Sequence, residues 1–142
     1  MSAAWAIPYI GRTDMHCWGM VREVYQAAFG IALPEYGEID AREMQAVAEA
    51  VLVGKSQTGT WTEVVPFPSN EKPFDVVVMR GWLPVAGGKL RRGVVHTGLV
   101  TRRGYVMHTD LGYAVVEVPL NHLTVRSKLV GCYRHVAVVG QR

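Results

Sequence analysis

Along residues 14–30, DMHCWGMVREVYQAAFG, apolar side chains recur at Cys17, Met20, Val21, Val24, Tyr25 and Ala28, with Arg22, Glu23 and Gln26 between them. This spacing places the apolar set on one face of a helix. Thr13 or Asp14 is positioned to cap its start, and Gly30 to end it in the left-handed conformation. A turn-rich exit, GIALPEY (30–36), follows. Asp40 with Glu43 three residues later has the spacing of a capping box. It predicts a second helix, AREMQAVAEAVLV, that stops at Gly54 and presents Met44, Val47, Val51 and Leu52 on its apolar face.

Beyond Gly54 the pattern changes to short apolar and alternating runs. TWTEVV (60–65) reads as a strand cut short by Pro66 and Pro68. FDVVVMR (74–80) is a continuous apolar run, as expected of a central strand. GWLPVAGGKLRRG (81–93) reads as a loop, followed by strands in VVHTGLVT, YVMHTD, YAVVEV and CYRHVAVV. Helices first and strands after predict an α+β fold, with N-terminal helices packed on an antiparallel sheet. One domain over residues 1–142 is the simplest organisation.

Composition narrows the function class. With 49% hydrophobic and 19% charged residues the chain reads as globular rather than disordered. The net charge of +3 is mild, and its densest groups, Lys89, Arg91, Arg92 and Arg102, Arg103, lack the interleaved aromatics of a nucleic-acid reader. No run approaches the roughly 18 apolar residues of a membrane span, and the start lacks a signal-peptide pattern. Synthesis in a cytoplasm is therefore expected. Two cysteines, Cys17 and Cys132, make no disulfide framework.

Two of the five histidines can share a face. VVHTGLVT and YVMHTD are joined by Arg102, Arg103 and Gly104, a three-residue loop with glycine where a positive φ is wanted. That loop sets Thr101 opposite Tyr105 and His108 opposite Gly98. His96 then lies diagonal to His108 on the same face, roughly 7–8 Å away at the backbone, within reach of an imidazole–imidazole hydrogen bond. Gly98 is expected to leave open space beside both rings. His122 and His135 read as surface or packing residues, and Cys132 as core.

A thiol at a helix start completes a chemical set. Its proton is normally held below a pH of about 8.5, but the amides and positive dipole end of the first helical turn favour the thiolate. A nearby imidazole can take the proton, and a second polar group can hold that imidazole in its working tautomer. The expected roles are Cys17 as nucleophile, His96 as base and His108 as orienter.

CWGMVREVYQAAFGIALPEY resembles the Cys-helix block of NlpC-type (NlpC/P-sixty) cysteine peptidases, in which DCSGLV or DCWGLV opens a helix that ends in GI-LP. FDVVVMR resembles the family's GDLVFF strand, HTGLV its HVGIY strand, and YVMHTD the strand carrying its third triad member. The resemblance spans about residues 5 to 135, and is greatest to the short forms of phage tail tips and gene transfer agents. It implies a papain-like fold, a Cys17-His96-His108 triad, no cofactor, and cleavage of peptidoglycan stem peptides, commonly at the γ-D-glutamyl–diaminopimelate bond. Tyr9 matches a family tyrosine that helps shape the oxyanion site, with His16 and Trp18 beside the Cys as substrate-side residues. It also implies tail-tip and hub proteins as partners and a virion-associated location at the target cell wall. Two positions depart from the pattern: His16 stands where the family has Asp, and Phe74 where it has Gly.

Other chemistries are weighed against this one. His16, Cys17, His96 and His108 include donors that Zn²⁺ accepts. Adjacent His16 and Cys17 are poorly spaced for one structural ion, however, and no CxxC or HExxH is present. A catalytically silent structural component of a tail tip, or a peptidase that processes tail proteins during assembly, is the rival function.

Overall fold

The computed structural model describes residues 3–33, 61–84, 90–109, 114–135 and 137. The predicted second helix lies outside these residues. In chain order the elements are α1 (Cys17–Phe29), β1 (Trp61–Glu63), β2 (Val76–Pro84), β3 (Leu90–Arg102), β4 (Tyr105–His108), β5 (Val116–Pro119), α2 (Leu123–Arg126) and β6 (Leu129–His135). The strands form one six-stranded sheet in the order β1-β6-β2-β3-β4-β5, every neighbouring pair antiparallel. The architecture is the expected α+β arrangement of a helix on an antiparallel sheet. Among the described residues no helix is long and apolar enough to cross a membrane.

The apolar stripe read from the sequence is the buried face of α1, except that Ala28 near its end is exposed and Trp18 joins the buried set. Met20, Val21, Val24 and Tyr25 are at most 1% exposed and pack with Val76, Val78, Leu99, Met107 and Tyr133 of the sheet. The other face of the sheet has its own cluster: Val77, Met79, Val100, Val106 and Cys132, covered by Val64, Leu120 and Val125 of α2. Alternation along β2, β3 and β4 thus divides the strand residues between two cores, which is why these runs are apolar on both sides. Cys132 is core, as expected, and Cys17 and Cys132 are not joined in a disulfide. The chain leaves α1 through Gly30 at φ 66°, its amide and that of Ile31 donating to Gln26 and Tyr25 carbonyls.

GWLP is not a loop. β2 runs on through Gly81 and Trp82 to Pro84, paired with Leu90–Val94 of an equally extended β3. Glycine and proline in this stretch suggested a chain break, but ladder pairing continues along the edge of a long hairpin. The pairing shifts twice at one level: between Met79 and Arg80 against β3, and between Val78 and Met79 against β6. Such bulges bend a strand and re-aim the neighbouring side chain. His96, partner of Met79, stands at this bend.

Two buried acids hold the sheet to its loops. Asp75, fully buried, accepts from Arg134 Nε at 2.9 Å and Nη2 at 2.8 Å, and from the Lys72 amide at 2.8 Å. Glu71, 4% exposed, accepts from the Ser69 amide at 2.6 Å and the Gly104 amide at 2.8 Å, fastening the β3–β4 turn. Between the acids, Phe74 adopts φ 75°. That left-handed conformation costs an ordinary residue roughly 1–2 kcal/mol. Stacking on Trp5 (4.2 Å between centroids) and edge contact with Phe29 (4.7 Å) offset it.

Candidate active site

The β3–β4 hairpin has the register that the Arg-Arg-Gly turn predicts over its working length: Gly98 faces His108, Leu99 faces Met107 and Val100 faces Val106. Close to the turn it differs. Arg102, rather than Thr101, pairs with Tyr105, and the ladder shifts between Val100 and Arg102. The Arg102 guanidinium lies 3.8 Å from the Tyr105 ring centre, an attractive placement over an aromatic face. Gly104 takes φ 86°, as the turn requires.

This register brings the two predicted histidines together. His96 Nε2 lies 2.9 Å from His108 Nδ1, the rings perpendicular with centroids 5.0 Å apart. His96 is 7% exposed and His108 half-buried. Nε2 of His96 is engaged by its neighbour, and its other nitrogen, Nδ1, is buried.

Gly98 does not leave open space. A Cβ there would meet Val106 Cγ2 at 2.8 Å, the Met107 carbonyl oxygen at 2.9 Å and His108 Cβ at 3.2 Å. The expected gap beside the rings is filled by β4 itself, which approaches the glycine backbone directly.

Cys17 is the first residue of α1, 3% exposed, at the end of the helix where unpaired amides favour a thiolate. α1 packs on β3, the strand that carries His96. Trp18 is 2% exposed within the core cluster beneath α1. Tyr9 is half-buried against that cluster, with the Arg12 guanidinium 5.9 Å from its ring centre. Burial raises its phenol pKa, and the Glu23 carboxylate adds to this while Arg12 opposes it.

Neither Thr13 nor Asp14 caps α1. Asp14 is taken by Arg12, which donates to it from Nε at 2.9 Å and Nη2 at 2.6 Å, and which also reaches Glu23 at 2.8 Å. These contacts hold the Asp14 carboxyl below its usual range, the Arg12 hydrogen bond being the main cause. The cap is His16. Its backbone is extended (φ −93°, ψ 172°), and its Nδ1 accepts from the Gly19 amide at 3.1 Å. An imidazole nitrogen does here what a Ser, Thr, Asp or Asn side-chain oxygen does at many helix starts. Burial pushes the His16 pKa down, and Arg22 adds to the effect.

The remaining histidines separate as expected. His122 is exposed; His135 is 8% exposed, packs edge-on against Tyr25 and accepts from the Ala137 amide at 3.1 Å. Among the described residues no three His, Cys, Asp or Glu side chains gather as a set of metal ligands. Sequence reasoning missed Glu71, the Asp75–Arg134 pair and the role of His16. Phe74 carried a signal, since a glycine at the matching family position foreshadows a positive φ.

The fold has a counterpart of known structure. A chain from Staphylococcus aureus subsp. aureus Mu50, described as similar to a lipoprotein of the NLP/P60 family, superposes with a TM-score of 0.57. The fold is NLP/P60-like. Identity is 17%, and the match covers 93% of the present chain but 39% of the other, so the chain spans well under half of that protein's length. No protein-family model and no curated protein sequence matches the chain.

Proposed function

We propose that the chain is a cysteine peptidase of the bacterial cell wall, acting on peptidoglycan stem peptides from a phage tail tip or gene transfer agent. The observation that carries this reading is the 2.9 Å His96–His108 hydrogen bond, in a hairpin covered by the helix that starts at Cys17. The NLP/P60-like fold supports it.

In the proposed reaction His96 donates its Nε2 proton to His108 Nδ1, an assignment that leaves Nδ1 of His96 basic. Nδ1 takes the Cys17 proton, and the thiolate attacks the scissile carbonyl carbon. Collapse of the tetrahedral adduct breaks the C–N bond; the His96 imidazolium protonates the leaving amine, and a thioester remains on Cys17. Water then attacks the thioester, His96 takes its proton, and the acid is released with the thiol restored. The substrate bond proposed is γ-D-glutamyl–diaminopimelate, with Tyr9 on the oxyanion side.

Purified peptidoglycan incubated with the protein is expected to release diaminopimelate-containing fragments, and Cys17→Ala to abolish that release. No release, with Cys17 unreactive toward a thiol alkylator, would overturn the reading. The deep burial of Cys17 favours one rival, a silent structural component of the tail tip. On that account Cys17→Ala particles assemble and infect normally while deletion blocks assembly. Comparing tail-protein masses in wild-type and Cys17→Ala particles tests a role in processing.

A further inference from the structure

His16 occupies the position at which an aspartate precedes the cysteine in the family that the chain resembles, and it makes the capping contact itself. We propose that His16 is an uncharged, acid-releasable cap: a positioning residue that holds the first turn of α1, and with it Cys17, in place while sparing the thiol a neighbouring negative charge. This rests on the reading of Cys17 as the nucleophile.

Three observations support it. The cap hydrogen bond joins His16 Nδ1 to the Gly19 amide at 3.1 Å, spanning Cys17 and Trp18. The imidazole fills the space above Gly19: a Cβ on that residue would lie 3.2 Å from Cε1 and 3.3 Å from Nε2 of the ring. The capping nitrogen must be unprotonated to accept, and half-burial of the ring opposes the charged form. An aspartate would make the same hydrogen bond with a full negative charge one residue from the thiol, opposing the thiolate that the helix end favours.

Neutrality brings pH dependence. A protonated Nδ1 donates rather than accepts, so the contact with the Gly19 amide is lost and a positive charge lies against the positive end of the helix. The charged groups at this corner are Arg22 and Glu23 on α1, and Arg12 and Asp14 on the segment before it, the last three joined in one ion-pair cluster. On the strands the titratable groups include His96 and His108, and, packed against α1 itself, His135 and Tyr133 of β6. Because the folded pKa of His16 is lowered from 6.5, its stabilising contribution is whole above that pH and is lost as pH falls through the folded value.

The test compares the wild type with His16→Asn, which keeps a neutral acceptor but cannot titrate, and His16→Asp, which adds charge. Thermal midpoints are measured from pH 7.5 to 4.5, and the Cys17 thiolate is followed by absorbance near 240 nm as the difference from Cys17→Ser in each background. Wild type and His16→Asn are expected to melt together at pH 7.5 and to diverge below about 6.5, the wild type losing several degrees relative to the variant. His135, whose pKa burial also lowers, is common to both proteins and cancels. His16→Asp is expected to move thiolate formation up by roughly one pH unit.

A melting difference that stays constant with pH, or a His16→Asp thiolate titration coinciding with the wild type's, would overturn the proposal. Should His16→Asp not fold, the His16→Asn comparison decides alone. Neither measurement uses a substrate, so the two readings fail separately. Absent hydrolysis with these shifts intact removes the peptidase and leaves the cap; hydrolysis without the shifts does the reverse.

Discussion

The sheet carries two polar side-chain pairs that look alike in burial and differ in kind. Asp75 and Arg134 face each other across β2 and β6, the carboxylate fully enclosed and both its oxygens engaged by the guanidinium. His96 and His108 meet diagonally across β3 and β4 through an imidazole–imidazole hydrogen bond. The ion pair has opposite charges that must stay, because a buried charge without its partner is costly. The histidine pair joins two groups of the same kind through a single hydrogen bond, with no opposite charges to hold it. One pair ties the sheet to its loops, and the other is the pair on which the proposed reaction rests.

Substitutions separate these roles. The largest effect is expected from His96→Ala, which should lower stem-peptide hydrolysis roughly 10²–10⁴-fold while leaving the unfolding midpoint in urea nearly unchanged. A full loss of folding there would make His96 a second structural pair member. Asp75→Ala should do the opposite: it leaves Arg134 facing a buried gap, and roughly 3–5 kcal/mol of stability should disappear in urea titrations. A loss below about 1 kcal/mol would show that the ion pair contributes no more than a surface one. The smallest effect is expected at Phe74→Gly. Removing left-handed strain gains roughly 1–2 kcal/mol, but the stack on Trp5 and the contact with Phe29 are lost, so a net destabilisation of about 1–2 kcal/mol is expected. A more stable glycine variant would mean that the aromatic cluster does not offset the backbone.

The same contrast explains what could be read from the chain. His96 and His108 are 12 residues apart and joined by one turn, so turn chemistry and the two-residue period of a strand were enough to place them on one face. Asp75 and Arg134 are 59 residues apart, and their meeting depends on β6 inserting between β1 and β2, which no local pattern encodes. Glu71 reaching Gly104 is long-range for the same reason. The α1 stripe and its Gly30 terminus were legible because helix period and the left-handed cap are local rules. The cap at the other end was not. Thr13 and Asp14 are better capping residues by type, and an arginine two positions before Asp14 removed it from the competition. The sequence pattern ends β2 at Arg80 because Gly81 and Pro84 are breakers in isolation, whereas the ladder with β3 carries through both.

Gly98 adds a mechanical consequence. The strand beside it lies so close that one extra carbon would overlap Val106 and the Met107 carbonyl by several tenths of an ångström. The gauge of the hairpin, and with it the separation of two rings a few residues away, is therefore set by a missing atom. Such a part works like the shim left out of a bearing: replacing it leaves every reactive group present and puts the bearing out of tolerance.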